Sequence, residues 1–131
     1  MKSPLHANRG SRKESALSFL RLASSGKVRE AYDTYVGPNF KHHNPYYRGD
    51  AKSLAAGMEE NHGKFPGTTL EVQRALEEGD LVAVYSCVHL KPDGPKVAVV
   101  HMFRFEQGRI VELWDVGQVI PEDSSNEYGM F

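Results

Sequence analysis

The sequence predicts an α+β fold: three helices, then an antiparallel meander, with the helices covering one face of the sheet. Three observations carry this reading. Apolar residues recur at helical spacing through the first half, as in Ala16, Leu17, Phe19, Leu20, Leu22 and Ala23. From Thr68 onward the pattern shifts to period two, with branched and aromatic residues in short runs. Those runs are separated by Glu78-Gly79-Asp80, Pro92-Asp93-Gly94 and Gln107-Gly108, which are turn sequences.

The elements follow in order. Residues 1–10, including His6, show no periodicity and read as a loose leader. Ser11 and Glu14 have the spacing of a capping box, so the first helix starts there, and Ser24-Ser25-Gly26 stops it. Residues 27–36 form a second, short helix with Val28, Ala31, Tyr32 and Tyr35 as its stripe, and Gly37-Pro38 ends it. Residues 40–49 read as a short extended piece and a turn. Asp50 caps a third helix carrying Leu54, Ala55 and Met58, which ends near Gly63. Residues 69–76 and 81–90 make one hairpin, and residues 97–105 and 109–116 make another. Residues 121–131 form a polar tail with an apolar end, Tyr128-Gly129-Met130-Phe131. A curved four-stranded sheet closed by helices on its concave side is a cone with an interior pocket. One such domain spans residues 1–131.

Composition narrows the function classes. The 131 residues are 40% hydrophobic and 25% charged with a formal net charge of −1, which argues against a nucleic-acid binder. No apolar stretch approaches a membrane span and the N-terminus lacks an apolar signal core, so a cytoplasmic protein is expected. Cys87 is the only cysteine, which excludes an internal disulfide and cysteine-based zinc sites. It lies in an apolar run and reads as a buried residue.

The last hairpin holds the informative pair, His101 and Asp115. An ionisable residue in an apolar strand usually has a partner or a task. A three-residue loop with Gly108 left-handed would pair Phe105 with Arg109, and so set Val99 opposite Asp115 and His101 opposite Leu113. His101 and Asp115 would then be diagonal neighbours on one face with Val99, Phe103, Val111 and Leu113. The other face would carry Val100, Met102, Arg104, Ile110, Glu112, Trp114 and Val116, with Arg104 and Glu112 as an ion pair. A two-residue loop would put His101 and Asp115 on opposite faces.

Three segments together resemble a known family: Phe40-Lys41-His42-His43-Asn44-Pro45, Glu78-Gly79-Asp80-Leu81-Val82, and Phe103 through Gln118 with Gly108, Trp114 and Asp115. They are similar to SnoaL-like polyketide cyclases of the nuclear transport factor two-like superfamily, over about residues 12–131. The branch of SnoaL-like aldol-condensation enzymes is the nearest in pattern, down to its Asn…Gly-Met-Phe tail. This chain carries His101 where that branch often has Asp, and Leu113 where it often has His. The resemblance implies a cystatin-like cone, usually a homodimer formed through the outer sheet face. That face here would present Val100, Met102, Trp114 and Val116. The resemblance further implies an acid/base role for Asp115 assisted by His101, and places His43 and Asn44 near the pocket mouth.

The chemistry expected is proton transfer beside a carbonyl, by isomerisation or aldol-type cyclisation, on a small apolar substrate and without a cofactor. A carboxylate walled by apolar side chains loses hydration and becomes a better base. His101 would orient Asp115 or donate to a developing enolate oxygen. His43 and Asn44 would polarise the carbonyl, although Asn-Pro also starts turns. Phe19, Tyr32, Phe40, Met58, Phe103 and Leu113 are candidate pocket walls. His43, His101 and Asp115 lack the close spacing of metal ligands on one element, so no metal is expected. A non-catalytic ligand-binding or dimerisation module is the alternative from another class. Epoxide-hydrolase-like activation of water by Asp115 is the nearest enzyme alternative.

Overall fold

The computed structural model describes residues 11–131, so the leader and His6 lie outside the described residues. The elements are α1 (Arg12–Ser24), α2 (Val28–Tyr35), β1 (Val36–His42), α3 (Ala51–Lys64), β2 (Thr69–Glu78), β3 (Leu81–His89), β4 (Lys96–Glu106) and β5 (Arg109–Val119). They form an α+β fold of three helices on a curved five-stranded sheet.

The helices start where their caps are. Ser11 Oγ accepts from the Glu14 amide at 3.1 Å and Glu14 Oε1 accepts from the Ser11 amide at 3.1 Å, completing the capping box of α1. Asp50 caps α3, its Oδ2 accepting from the Ser53 amide at 2.9 Å. The short helix α2 has no basic residue in its last turn. Arg109 supplies one from the β4–β5 hairpin, its Nη1 donating to the carbonyls of Asp33, Thr34 and Val36 at 3.1–3.2 Å.

The sheet order is β1-β5-β4-β3-β2. Its fifth strand, β1, corrects the expected four-stranded antiparallel meander. Residues 36–42 pair parallel to β5, with Lys41 opposite Glu112 and His42 opposite Leu113. Pro38 fits because β1 is an edge strand.

The last hairpin is also corrected. Glu106 pairs with Arg109, so the loop is the two residues Gln107 and Gly108. Both have positive φ, 50° and 78°, as a type I′ turn requires. The register then shifts: Phe105 faces Ile110 while Arg104 faces Glu112, leaving Val111 as an extra bulged residue. Below this bulge Phe103 pairs with Leu113, His101 with Asp115, and Val99 with Gly117. Ile110 therefore packs into the core and Val111 outside it, the reverse of the expected faces.

The core lies between the helices and the concave face. Phe19, Leu20, Val28, Ala31, Leu54, Val82, Val84, Phe103, Ile110 and Leu113 are at most 3% exposed, so burial is the dominant stabilising term. Edge-to-face contacts run from Phe103 through Phe19 and Tyr32 to Phe40, with ring centroids 5.3–6.1 Å apart. The tail turns back to the outer face of the sheet. Tyr85 Oη donates to the Met130 carbonyl at 2.6 Å, and the Phe131 ring lies 5.2 Å from that of Tyr85.

Candidate functional site

His42 ends β1 and His43 follows it, and the two point to opposite sides of the sheet. His42 is buried. Its Nδ1 accepts from the Asn44 amide at 3.0 Å, which leaves the proton on Nε2 to be donated to the Arg48 carbonyl at 2.5 Å. His42 thus shapes the loop that carries Asn44. The Asn44 side chain is held at both ends: Oδ1 accepts from the Tyr46 amide at 2.9 Å, and Nδ2 donates to Asp115 Oδ2 at 3.0 Å. The turn chemistry expected of Asn-Pro is present, and it aims the amide at the carboxylate.

Asp115 stands directly opposite His101 on the paired strands. No hydrogen bond joins the two, and Asn44 is the residue that bonds Asp115. His101 Nδ1 is buried without a hydrogen-bond partner among the described residues. Burial lowers the His101 pKa and favours the neutral ring, and the Asp115 charge opposes this more weakly. Tyr32 lies close enough to feel Asp115. Burial first, and that charge second, push its phenol well above the usual range. The Tyr32 hydroxyl meets Met58 Sδ at 3.5 Å.

His101 also lines a cavity of about 150 Å³ between the sheet and α1 and α3. Of the residues expected as pocket wall, Met58 shares that lining. Phe19, Tyr32, Phe40, Phe103 and Leu113 pack in the core instead, each no more than 9% exposed. The wall further includes Leu20, Leu70 and Val88, with Asn61, His62 and Thr68 among its polar members. His62, with no partner in sequence, reads as a surface or rim residue; for the others the only signal is alternation in β2 and β3 and position near the end of α3.

His43 is the clearest correction. It was expected at the pocket mouth and lies on the outer face. There its ring stacks on Trp114, centroids 5.1 Å apart and planes 7° apart, and its Nε2 is 2.6 Å from Glu112 Oε2. Glu112 also accepts from Arg104 Nε at 2.9 Å, so the expected cross-strand pair is present. The bond from His43 foremost, then that from Arg104, hold the Glu112 carboxyl below its ordinary range against the effect of burial. The candidate set His43, His101 and Asp115 is therefore divided between the two faces. Among the described residues no group of three or more His, Cys, Asp or Glu side chains is placed to hold a metal ion. Nor, among them, is any helix long and apolar enough to cross a membrane.

A curved sheet closed by helices, with His101 and Asp115 paired on its concave face, is an α+β cone of nuclear transport factor two-like and cystatin-like fold. The SnoaL-like domain matches residues 16–113, and the chain belongs to that family. Solved structures agree in fold. AclR from Streptomyces galilaeus, provisionally assigned as a hydroxylase, is 24% identical with a TM-score of 0.70, over 82% of this chain and 78% of that one. IdmH from Streptomyces antibioticus, provisionally assigned as a polyketide cyclase, is 20% identical with a TM-score of 0.69, over 82% and 92%. An NTF2-like protein of unknown function from Cytophaga hutchinsonii is 19% identical with a TM-score of 0.67, over 90% and 95%. None of the curated proteins matches this chain.

Proposed function

We propose that this protein is a cofactor-independent isomerase or cyclase that transfers a proton beside a carbonyl, with Asp115 as the base. One observation carries the reading: Asn44 ties down Asp115 Oδ2 at 3.0 Å, opposite a half-buried His101 that lines the cavity. Asp115 Oδ1 remains as the basic oxygen. It takes the proton from the carbon next to the carbonyl, and the C–H electron pair becomes the enolate double bond. The neutral His101 ring donates an N–H to the enolate oxygen. The enolate then regains the proton from Asp115 at another carbon, or attacks a second carbonyl, whose C=O π pair becomes an alkoxide that takes the proton back from Asp115 as the carbon–carbon bond forms. Asn44 acts here as a positioning residue, because its amide is committed to Asp115 and Tyr46.

Membership of the SnoaL-like family supports this class of chemistry, and the provisional name of IdmH points the same way. The test is loss of deuterium from 2,2,6,6-tetradeuterated cyclohexanone, followed by NMR. Wild type should speed the exchange and Asp115→Asn should abolish the effect. Equal exchange in both proteins would reject the base and leave a ligand-binding module.

A homodimer through the outer face belongs to the same proposal. Val116 is 74% and Met102 37% exposed there, an apolar patch that a second copy would cover. A monomer mass by light scattering at micromolar concentration would reject the dimer.

A further inference from the structure

We infer that the cavity takes a ligand with an apolar body and an acceptor oxygen, and that Asn61 and His62 bind that oxygen. The inference rests on the reading of Asp115 and His101 above; of the two, His101 borders the cavity, and Asp115 is paired to it across β4 and β5.

Apolarity comes first. The cavity beside His101 is walled mainly by Leu20, Met58, Leu70 and Val88, so the body of the ligand is apolar.

Polarity comes second. Asn61, His62 and Thr68 also border the cavity. The Thr68 hydroxyl is already engaged with the Phe65 carbonyl at 2.7 Å. Asn61 and His62 lie in the last turn of α3, the first exposed and the second half-buried, so both side chains are reachable from the cavity mouth. The His62 ring is seated on Gly26, where a Cβ would fall 2.6 Å from His62 Cε1 and where φ is +91°. That glycine ends α1 and gives the imidazole its resting place at the cavity edge. The result is one histidine in the cavity wall, apolar walls, and two further hydrogen-bonding side chains of α3 at the border. A ligand with a carbonyl for His101 and an oxygen substituent for Asn61 and His62 satisfies all three.

Three probes of one size test this: 4-oxocyclohexanecarboxylate, 4-hydroxycyclohexanone and 4-methylcyclohexanone, with dissociation constants measured by NMR titration. Wild type should bind the carboxylate or the hydroxyl compound about tenfold more tightly than the methyl compound, the scale of one good hydrogen bond. Which of the two wins tells an anionic from a neutral terminus. Asn61→Leu with His62→Leu should erase the preference while the methyl compound binds as before. No preference in wild type would overturn the inference, and so would a preference that survives both substitutions. Proton exchange on 4-methylcyclohexanone reports on Asp115 separately. Exchange without preference rejects only the Asn61–His62 assignment, and preference without exchange rejects only the catalytic one.

Discussion

His101 and Asp115 are directly paired across β4 and β5, and Val111 puts them there. The two-residue turn at Gln107-Gly108 would set them on opposite faces if alternation ran unbroken. The bulge at Val111 inserts one residue and reverses the alternation, so both side chains belong to the concave face. The expected face was right, and the expected turn was not.

The Asn44–Asp115 hydrogen bond and the outward position of His43 separate two substitutions that look alike in sequence. Asn44→Ala should lower α-proton exchange on cyclohexanone about tenfold with ligand affinity retained, because the base loses its fixed orientation. His43→Ala should leave exchange within about twofold. Equal losses in both variants would put His43 back in the site.

His101 makes stability depend on pH. Its folded pKa lies below the usual value of about 6.5, so the unfolded chain binds a proton that the folded chain resists. Stability should therefore be full above that value and fall as pH drops through 6.5 toward the folded pKa. Thermal unfolding from pH 7.5 to 5 should show the decline, and His101→Gln should flatten it. A decline of equal slope in His101→Gln would assign it to other groups.

Arg109 closes the C-terminal end of α2 with three carbonyl contacts. Arg109→Gln should cost about 1–2 kcal/mol, the scale of charge-assisted hydrogen bonds at a partly exposed site. Urea unfolding measures it. The loss should appear as a shift in midpoint with the slope unchanged.

Gln107 holds φ at +50° in the type I′ turn, a conformation that Asn adopts at lower cost. Gln107→Asn should stabilise the protein by about 0.5 kcal/mol and leave exchange unaltered. A lower melting temperature would argue against the turn as described.

Much of the fold was legible because its signals are local. The Ser11 and Asp50 caps, the helical spacing and the change to period two from Thr68 each lie within a few residues of what they specify. The fifth strand was not legible. Gly37-Pro38 reads as the end of a helix, and nothing near residues 36–42 announces a parallel partner more than seventy residues on. The same distance hid the choice between His42 and His43. β1 changes register between Val36 and Lys41, and Asn39 sits at φ 60°, so counting alternate residues along the strand fails there. Asp115 and His101 could be found because an ionisable residue in an apolar strand is conspicuous. Asn61 and His62 could not, since two polar residues near the end of a helix are ordinary in sequence.

The link between Asn44 and Asp115 has a kinetic consequence. It joins residues 71 positions apart, and β1 docks on the last strand in the chain. Closing so long a loop has an entropic cost that only the finished sheet offsets, and contacts of this separation form late and slowly. Asp115 and Asn44 therefore meet only when β5 is in place. A chain arrested before β5, however well its helices and first hairpin had formed, would carry neither half of the centre in working order. Under the proposed function, proton exchange would then return during refolding with the slowest phase, a clock for completion of the sheet.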